Sequence, residues 1–205
     1  MKNLFALKLK TEALAGRERE LSEILTVIAL NSGHATVRGE YGTGKTLLLK
    51  WIEKMLPSEY TPIYFPAPPE PRELERKLSG FLLWKPKNPV LLIDEAHEMD
   101  EYQERAIRRA GDHKKAIIIL AGTPELKGKL QTDFPALYDR IVEDVQLGIF
   151  DERTAEVMVR NRVACAGGIG SFFTKGKLSN LYQQSDGRPR SVLKRCDVEV
   201  RKGEL

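Results

Sequence analysis

The sequence predicts a three-layer α/β/α domain built on a five-stranded parallel sheet, followed by a small C-terminal helical unit. Three observations carry this. The runs Val90-Leu91-Leu92-Ile93 and Ala116-Ile117-Ile118-Ile119-Leu120-Ala121 are continuously apolar rather than alternating, as in strands covered on both faces. Shorter β-prone runs at 34–38, 63–65 and 141–147 alternate with stretches of helical spacing, the order that places successive strands in parallel. At Gly148 the character changes, and residues 151–205 show helical spacing only, broken at Gly167-Gly168-Ile169-Gly170 and Ser185-Asp186-Gly187. The expected division is residues 1–148 for the α/β domain and 149–205 for the helical lid.

Taken in order, the apolar positions Leu21, Ile24, Leu25, Ile28 and Ala29 recur at helical spacing, predicting a helix from Arg17 to Leu30. His34–Arg38 is the first strand, and Thr46–Leu56 is a helix stopped by Pro57. Ile63-Tyr64-Phe65 is a short strand cut off by Pro66, Pro68 and Pro69. A helix fits Pro71 to Trp84, with Pro71 near its first turn and Pro86 beyond its end. After the strand at 90–93, Asp100 caps a helix to about Ala110. The strand at 116–121 follows, then a short helix at 125–130, a loop through Pro135 and the strand Ile141–Leu147. Helices at 151–166, about 174–184 and about 189–200 complete the chain.

Composition bounds the partners. The 205 residues carry a net charge of +4 and 30% charged residues, with a pI near 9.0. That balance permits a nucleic-acid partner without demanding one, because no Lys/Arg block forms a basic arm. Cys165 and Cys196 make no C-x-x-C pair and no metal-ligand spacing with the three histidines, so reduced thiols in a cytoplasmic protein are expected. No apolar run reaches membrane-spanning length, and no signal-like stretch follows Met1-Lys2-Asn3, so no membrane partner is expected.

Gly39-Glu40-Tyr41-Gly42-Thr43-Gly44-Lys45-Thr46 has the spacing G-x-x-x-x-G-K-[ST] of the phosphate-binding loop. Its glycines allow a tight turn that directs N–H groups inward as a nest for anionic oxygens. Strand, loop and helix come in the required order, and the helix N-terminus adds its positive dipole end. Lys45 would meet the β- and γ-phosphates of a nucleoside triphosphate and Thr46 would ligate Mg²⁺. The candidate nucleotide-binding residues are Gly39, Glu40, Tyr41, Gly42, Thr43, Gly44, Lys45, Thr46 and Leu47.

A second pair of residues completes the chemistry. Asp94 and Glu95 end a buried strand that is expected beside the strand entering the loop. Asp94 would hold Mg²⁺, which takes few carboxylates and keeps several waters. Glu95 would accept a proton from the water attacking the γ-phosphate. His97 is read as a structural hydrogen-bonding residue.

These pieces resemble the AAA+ ATPase superfamily over residues 15 to about 195. Gly39–Thr46 matches Walker A, and Leu91-Leu92-Ile93-Asp94-Glu95 matches Walker B with its catalytic acid. Leu120-Ala121-Gly122-Thr123 resembles sensor 1, which implies that Thr123 helps orient the attacking water. Phe134-Pro135-Ala136-Leu137-Tyr138-Asp139-Arg140 resembles the segment with the arginine finger, which implies that role for Arg140. Gly187-Arg188-Pro189-Arg190 resembles sensor 2, with Arg190 the candidate and Arg188 the alternative. Ala15-Gly16-Arg17-Glu18 resembles the segment covering the adenine, implying a nucleotide contact by Arg17.

The resemblance also implies ATP hydrolysis with ATP and Mg²⁺, and self-association into a ring or filament. Departures from the family narrow it. Residues 66–89 and 95–115 each hold one helix, leaving no room for the extra helix of origin-recognition initiators or the hairpin of many hexameric helicases. Pro66 replaces the polar residue often found at the end of the second strand. The expected function is an ATPase in DNA transactions such as replication initiation or loading, transposition, or viral or plasmid genome handling. A slow ATP-dependent switch acting on a protein partner and a DNA packaging motor are the alternatives.

Overall fold

The computed structural model describes residues 15–79, 86–165 and 173–203. Five strands form: β1 (His34–Gly39), β2 (Thr61–Phe65), β3 (Pro89–Ile93), β4 (Ile117–Gly122) and β5 (Ile141–Leu147). All pair in parallel, in the order β2-β3-β4-β1-β5. This corrects one expectation: β3 does not lie beside β1, because β4 is inserted between them. Every residue of β3 and β4 is buried, so both read as interior strands and apolarity alone does not rank them.

Among the described residues, the helices of the sheet unit are α1 (Glu18–Leu30), α2 (Lys45–Met55), α3 (Pro71–Ser79), α4 (Glu101–Lys114), α5 (Leu126–Asp133) and α6 (Pro135–Tyr138). α4 begins where Asp100 accepts from the Gln103 amide while the Gln103 side chain accepts from the Asp100 amide, a reciprocal cap worth about 1 kcal/mol. It stops at Lys115, which adopts the left-handed conformation (φ 53°). α3 was expected to reach Trp84; it runs to Ser79, and residues 80–85 lie outside the described residues. Pro135 was expected in a loop and instead opens the single turn of α6, where its fixed φ suits the first helical position.

Strand alternation sorts the core. Leu91 and Ile93 of β3 and Ile118 and Leu120 of β4 pack with Leu74 of α3, Ile107 of α4 and Leu130 of α5. Leu92 and Ile119 point to the opposite face, on the side where α2 packs against β1, β2 and β4. Each such fully buried aliphatic contributes on the order of 1.5–3 kcal/mol.

The chain divides into two compact units. The sheet unit comprises Glu20–Glu40 and Lys45–Leu147. The second unit contains, among the described residues, 15–19, Tyr41–Gly44 and the chain from Gly148 onward. Its helices are α7 (Glu152–Cys165), α8 (Lys175–Gln183) and α9 (Pro189–Gly203). They enclose a separate core of Met158, Val159, Leu178, Leu181, Val192 and Cys196. Burial pushes the Cys196 thiol up to about 12, so it behaves as a small apolar group. The expected break at Gly167–Gly170 lies outside the described residues. At the other break Gly187 is required, since it adopts φ 68° and a Cβ there would meet the Phe150 carbonyl at 2.7 Å. Among the described residues no helix is long and apolar enough to cross a membrane.

Candidate functional site

In the sheet unit, β1 ends at Gly39 and α2 opens at Lys45, so the loop motif joins a central strand to a helix N-terminus. The Lys45 side chain is buried, and its ammonium donates to the carbonyls of Gly39 at 2.7 Å and Glu40 at 3.2 Å. Burial lowers the Lys45 pKa, while Glu95, Asp94 and Glu40 act to raise it. Thr46 is exposed on the first turn of α2, and the adjoining Leu47 is half-buried.

Asp94 and Glu95 follow β3 directly. Asp94 is buried; its amide donates to the Phe65 carbonyl at 2.9 Å, and its Oδ1 accepts from the Glu95 amide at 3.0 Å. Its second oxygen, Oδ2, accepts from the Tyr64 hydroxyl at 3.3 Å. Glu95 holds the left-handed conformation at φ 48°, costly for a residue with a Cβ and typical of constrained functional turns. Its Oε2 is buried and accepts no hydrogen bond among the described residues; His97 Nδ1 lies 3.6 Å away, at ion-pair range only. The 3₁₀ turn Ala96–Glu98 that follows is tied down through the His97 carbonyl, which accepts from Lys129 at 2.7 Å.

Thr123 follows β4, the strand between β1 and β3, and is buried. Its hydroxyl bonds to the Glu125 carboxylate and holds that group below the usual carboxylate range. Arg140 stands immediately before β5, at the opposite end of that strand from Leu147. Its guanidinium grips Asp112 of α4 with two bonds, at 2.9 and 3.2 Å, and also donates to the Ala136 carbonyl. The structure therefore brings Lys45, Asp94 and Glu95 into one electrostatic neighbourhood, and it engages Arg140 in a separate ion pair.

In the second unit, the tip of the loop (Tyr41, Gly42, Thr43, Gly44) meets Arg17 and Arg190. Arg17 is buried, donates to the carbonyls of Thr43 (3.2 Å) and Gly148, and lies 4.5 Å over the Phe150 ring. The Arg190 amide donates to the Gly42 carbonyl at 3.2 Å. A Cβ on Gly42, at φ 84°, would press on the Arg190 side chain at 3.2 Å. Arg188 and Arg190 are both exposed, and among the described residues neither guanidinium makes an ion pair. Sequence reasoning missed Tyr64 and Glu125. The one polar group in Ile63-Tyr64-Phe65 was the available signal for Tyr64, and Glu125 carries none that separates it from other exposed acids.

The donor set fits nucleotide and magnesium. Gly44, at φ 106°, has open space where a Cβ would point, as a cradle for an anion requires. The buried ammonium of Lys45 donates to carbonyls of its own loop, at the helix N-terminus where phosphates would sit. One hydroxyl (Thr46) and one carboxylate (Asp94) suit Mg²⁺, and no cluster of three or more His, Cys, Asp or Glu residues able to hold another metal occurs among the described residues.

Known structures share this architecture. The Aeropyrum pernix ORC2 protein in its ADP form superposes with a TM-score of 0.75 over 94% of this chain and 65% of its own, at 14% identity. The Thermotoga maritima RuvB Holliday junction branch migration motor gives a TM-score of 0.67 over 91% of this chain and 63% of its own, at 18% identity. The chain has the P-loop NTPase α/β fold of these structures. The chain matches no known protein-family model. General secretion pathway protein A of Aeromonas hydrophila is 28% identical over 196 residues, which cover 80% of this chain and 36% of that protein. The chain thus spans about a third of that relative and under two thirds of the branch-migration motor.

Proposed function

We propose that this AAA+ chain is a Mg²⁺-dependent ATPase that acts in DNA transactions such as replication initiation or loading, transposition, or viral or plasmid genome handling. The observation that carries the reading is the buried Lys45 ammonium, at the mouth of α2, in the field of the Asp94 and Glu95 carboxylates. Lys45 binds the β- and γ-phosphates, exchanging its loop carbonyls for phosphate oxygens. Thr46 and Asp94 would hold Mg²⁺, which would neutralise charge on the phosphate oxygens. Glu95, with a carboxylate oxygen that accepts no hydrogen bond among the described residues, takes the proton of the attacking water. Thr123 orients that water, and Arg190 reads the γ-phosphate from the first turn of α9. Arg17 holds the loop tip through the Thr43 carbonyl.

Arg140 is assigned to a neighbouring copy's nucleotide in a ring or filament. It enters β5 from the end opposite the nucleotide face of the sheet, so a neighbour's phosphates are easier to reach than its own. An arginine finger of this kind is worth roughly 10³–10⁵ in rate. ATP turnover with and without duplex DNA, at two salt concentrations, tests the reading. Stimulation by DNA that weakens as salt rises is expected, because phosphate contacts release counterions. Turnover indifferent to DNA at both salts would remove the DNA role.

One observation favours a second reading, a slow nucleotide-dependent switch on a protein partner. Arg140 is held bidentately by Asp112 within its own chain, and a finger acting in trans has to leave that pair.

A further inference from the structure

We infer that Tyr64 is a positioning residue that aims Asp94 at the nucleotide-bound Mg²⁺. The inference rests on the reading of Asp94 as the metal's carboxylate. It begins from strand register. Tyr64 of β2 pairs with Leu92 of β3, and Asp94 lies two residues beyond Leu92. Side chains two apart on a strand share a face, so Tyr64 and Asp94 are diagonal neighbours on one side of the sheet. An aromatic side chain is long enough to span that diagonal, and the Tyr64 hydroxyl reaches Asp94 Oδ2 at 3.3 Å.

Without Tyr64 the Asp94 carboxylate would be held through Oδ1 alone. Asp94 Oδ1 is fixed locally by the Glu95 amide at 3.0 Å, so the carboxylate has two anchors and each oxygen keeps lone pairs for a metal or its water. The ring of Tyr64 is itself held from α2. Lys50 places its ammonium 3.3 Å from the ring centroid and pairs with Glu53 at 2.9 Å. Lys50 is four residues after Thr46, on the same face of α2. The two candidate magnesium ligands are therefore linked through one path: Thr46, the α2 face, Lys50, the Tyr64 ring, the Tyr64 hydroxyl and Asp94. Pro66 removes any polar side chain from the end of β2, and Tyr64, two residues earlier, supplies the contact from that strand to the acidic pair.

The Tyr64→Phe variant removes one hydroxyl and keeps the ring under Lys50. Equilibrium binding of a fluorescent ADP analogue, in EDTA and in excess Mg²⁺, reads the metal's contribution as a ratio of affinities. Loss of a partner that orients a metal ligand typically costs 10–100-fold in metal affinity. The Mg²⁺ enhancement should therefore fall about 10-fold in Tyr64→Phe, with the EDTA affinity at the parental value. An unchanged enhancement overturns the inference, as does a parallel loss in EDTA and Mg²⁺, which marks Tyr64 as structural only. Asp94→Asn separates this outcome from failure of the underlying reading. If Asp94→Asn keeps the parental enhancement, Asp94 is not the metal's carboxylate, and the role of Tyr64 falls with it.

Discussion

Replacing Lys45 with methionine separates binding from folding. The Lys45 ammonium is buried among carbonyls, and burial lowers its pKa, so the folded chain without nucleotide carries a charge it has desolvated. Its two loop hydrogen bonds each return about 1.5–3 kcal/mol, as bonds to a charged group do. Burying the charge costs several kcal/mol in the other direction. The two nearly cancel, and Lys45→Met should melt within about 4 °C of the parent in the absence of nucleotide. Nucleotide changes the comparison. At 100 times the dissociation constant a ligand adds about 2.7 kcal/mol to stability. For a chain of this size that is roughly 5–11 °C in melting temperature. The parental protein should show that rise with Mg·ATP in a thermal-shift assay, and Lys45→Met should show none. A variant that still rises by several degrees, or one already melting far below the parent without nucleotide, would refute this assignment of Lys45.

Three further outcomes are expected. Asp144 accepts from Arg38, Thr36 and Lys127, and although burial alone would raise its pKa, these bonds bring it from its ordinary 3.8 to about 2. A depressed carboxylate stabilises above its unfolded pKa and loses that stabilisation as pH falls through the folded value. Asp144→Asn should therefore melt a few degrees lower at pH 7, on the order of 1 kcal/mol after solvent screening, with the deficit vanishing between about pH 4 and pH 2; an equal deficit at both ends would contradict the pairing. Mixing Arg140→Ala with Lys45→Ala subunits should recover turnover that neither shows alone, whereas a mixture as inactive as its parts places Arg140 outside any shared site. Arg190→Ala should bind the fluorescent ADP analogue normally and hydrolyse ATP at least 10-fold more slowly, with Arg188→Ala near the parental rate; the reverse ranking would transfer the sensor role to Arg188.

Much of this molecule is legible in its residues because local and global signals agree. Asp100 announces the start of α4, and the structure adds the Gln103 side chain as the other half of the cap. Continuous apolar runs marked β3 and β4 as interior strands. Strand order was not legible, since a crossover helix can carry the chain to the adjacent place or one beyond it, and β3 and β4 are equally apolar. The turn of α6 was hidden because Pro135 suits a loop and a helix start alike. In the site, Lys45, Asp94 and Glu95 were visible as motif positions, but their geometry was not. The left-handed backbone of Glu95 has no residue-type signal, because glutamate rarely adopts it. The contact of Tyr64 with Asp94 depends on the β2–β3 register, and no short-range pattern encodes a diagonal pairing between strands separated by a helix. Arg17 was read as facing the adenine, and its guanidinium is held by the carbonyls of Thr43 and Gly148, an arrangement fixed by residues far apart in sequence.

The central claim is that Glu95 activates water on an ATP held by Lys45, and a single-turnover experiment on Glu95→Gln tests it most directly. Glutamine keeps the shape and loses the proton acceptor, so the variant should bind radiolabelled ATP with Mg²⁺ as tightly as the parent. Phosphate release should fall by about 10²–10⁴, the usual worth of a positioned general base. Release of phosphate by Glu95→Gln at the parental rate, from ATP bound at parental affinity, would contradict the account.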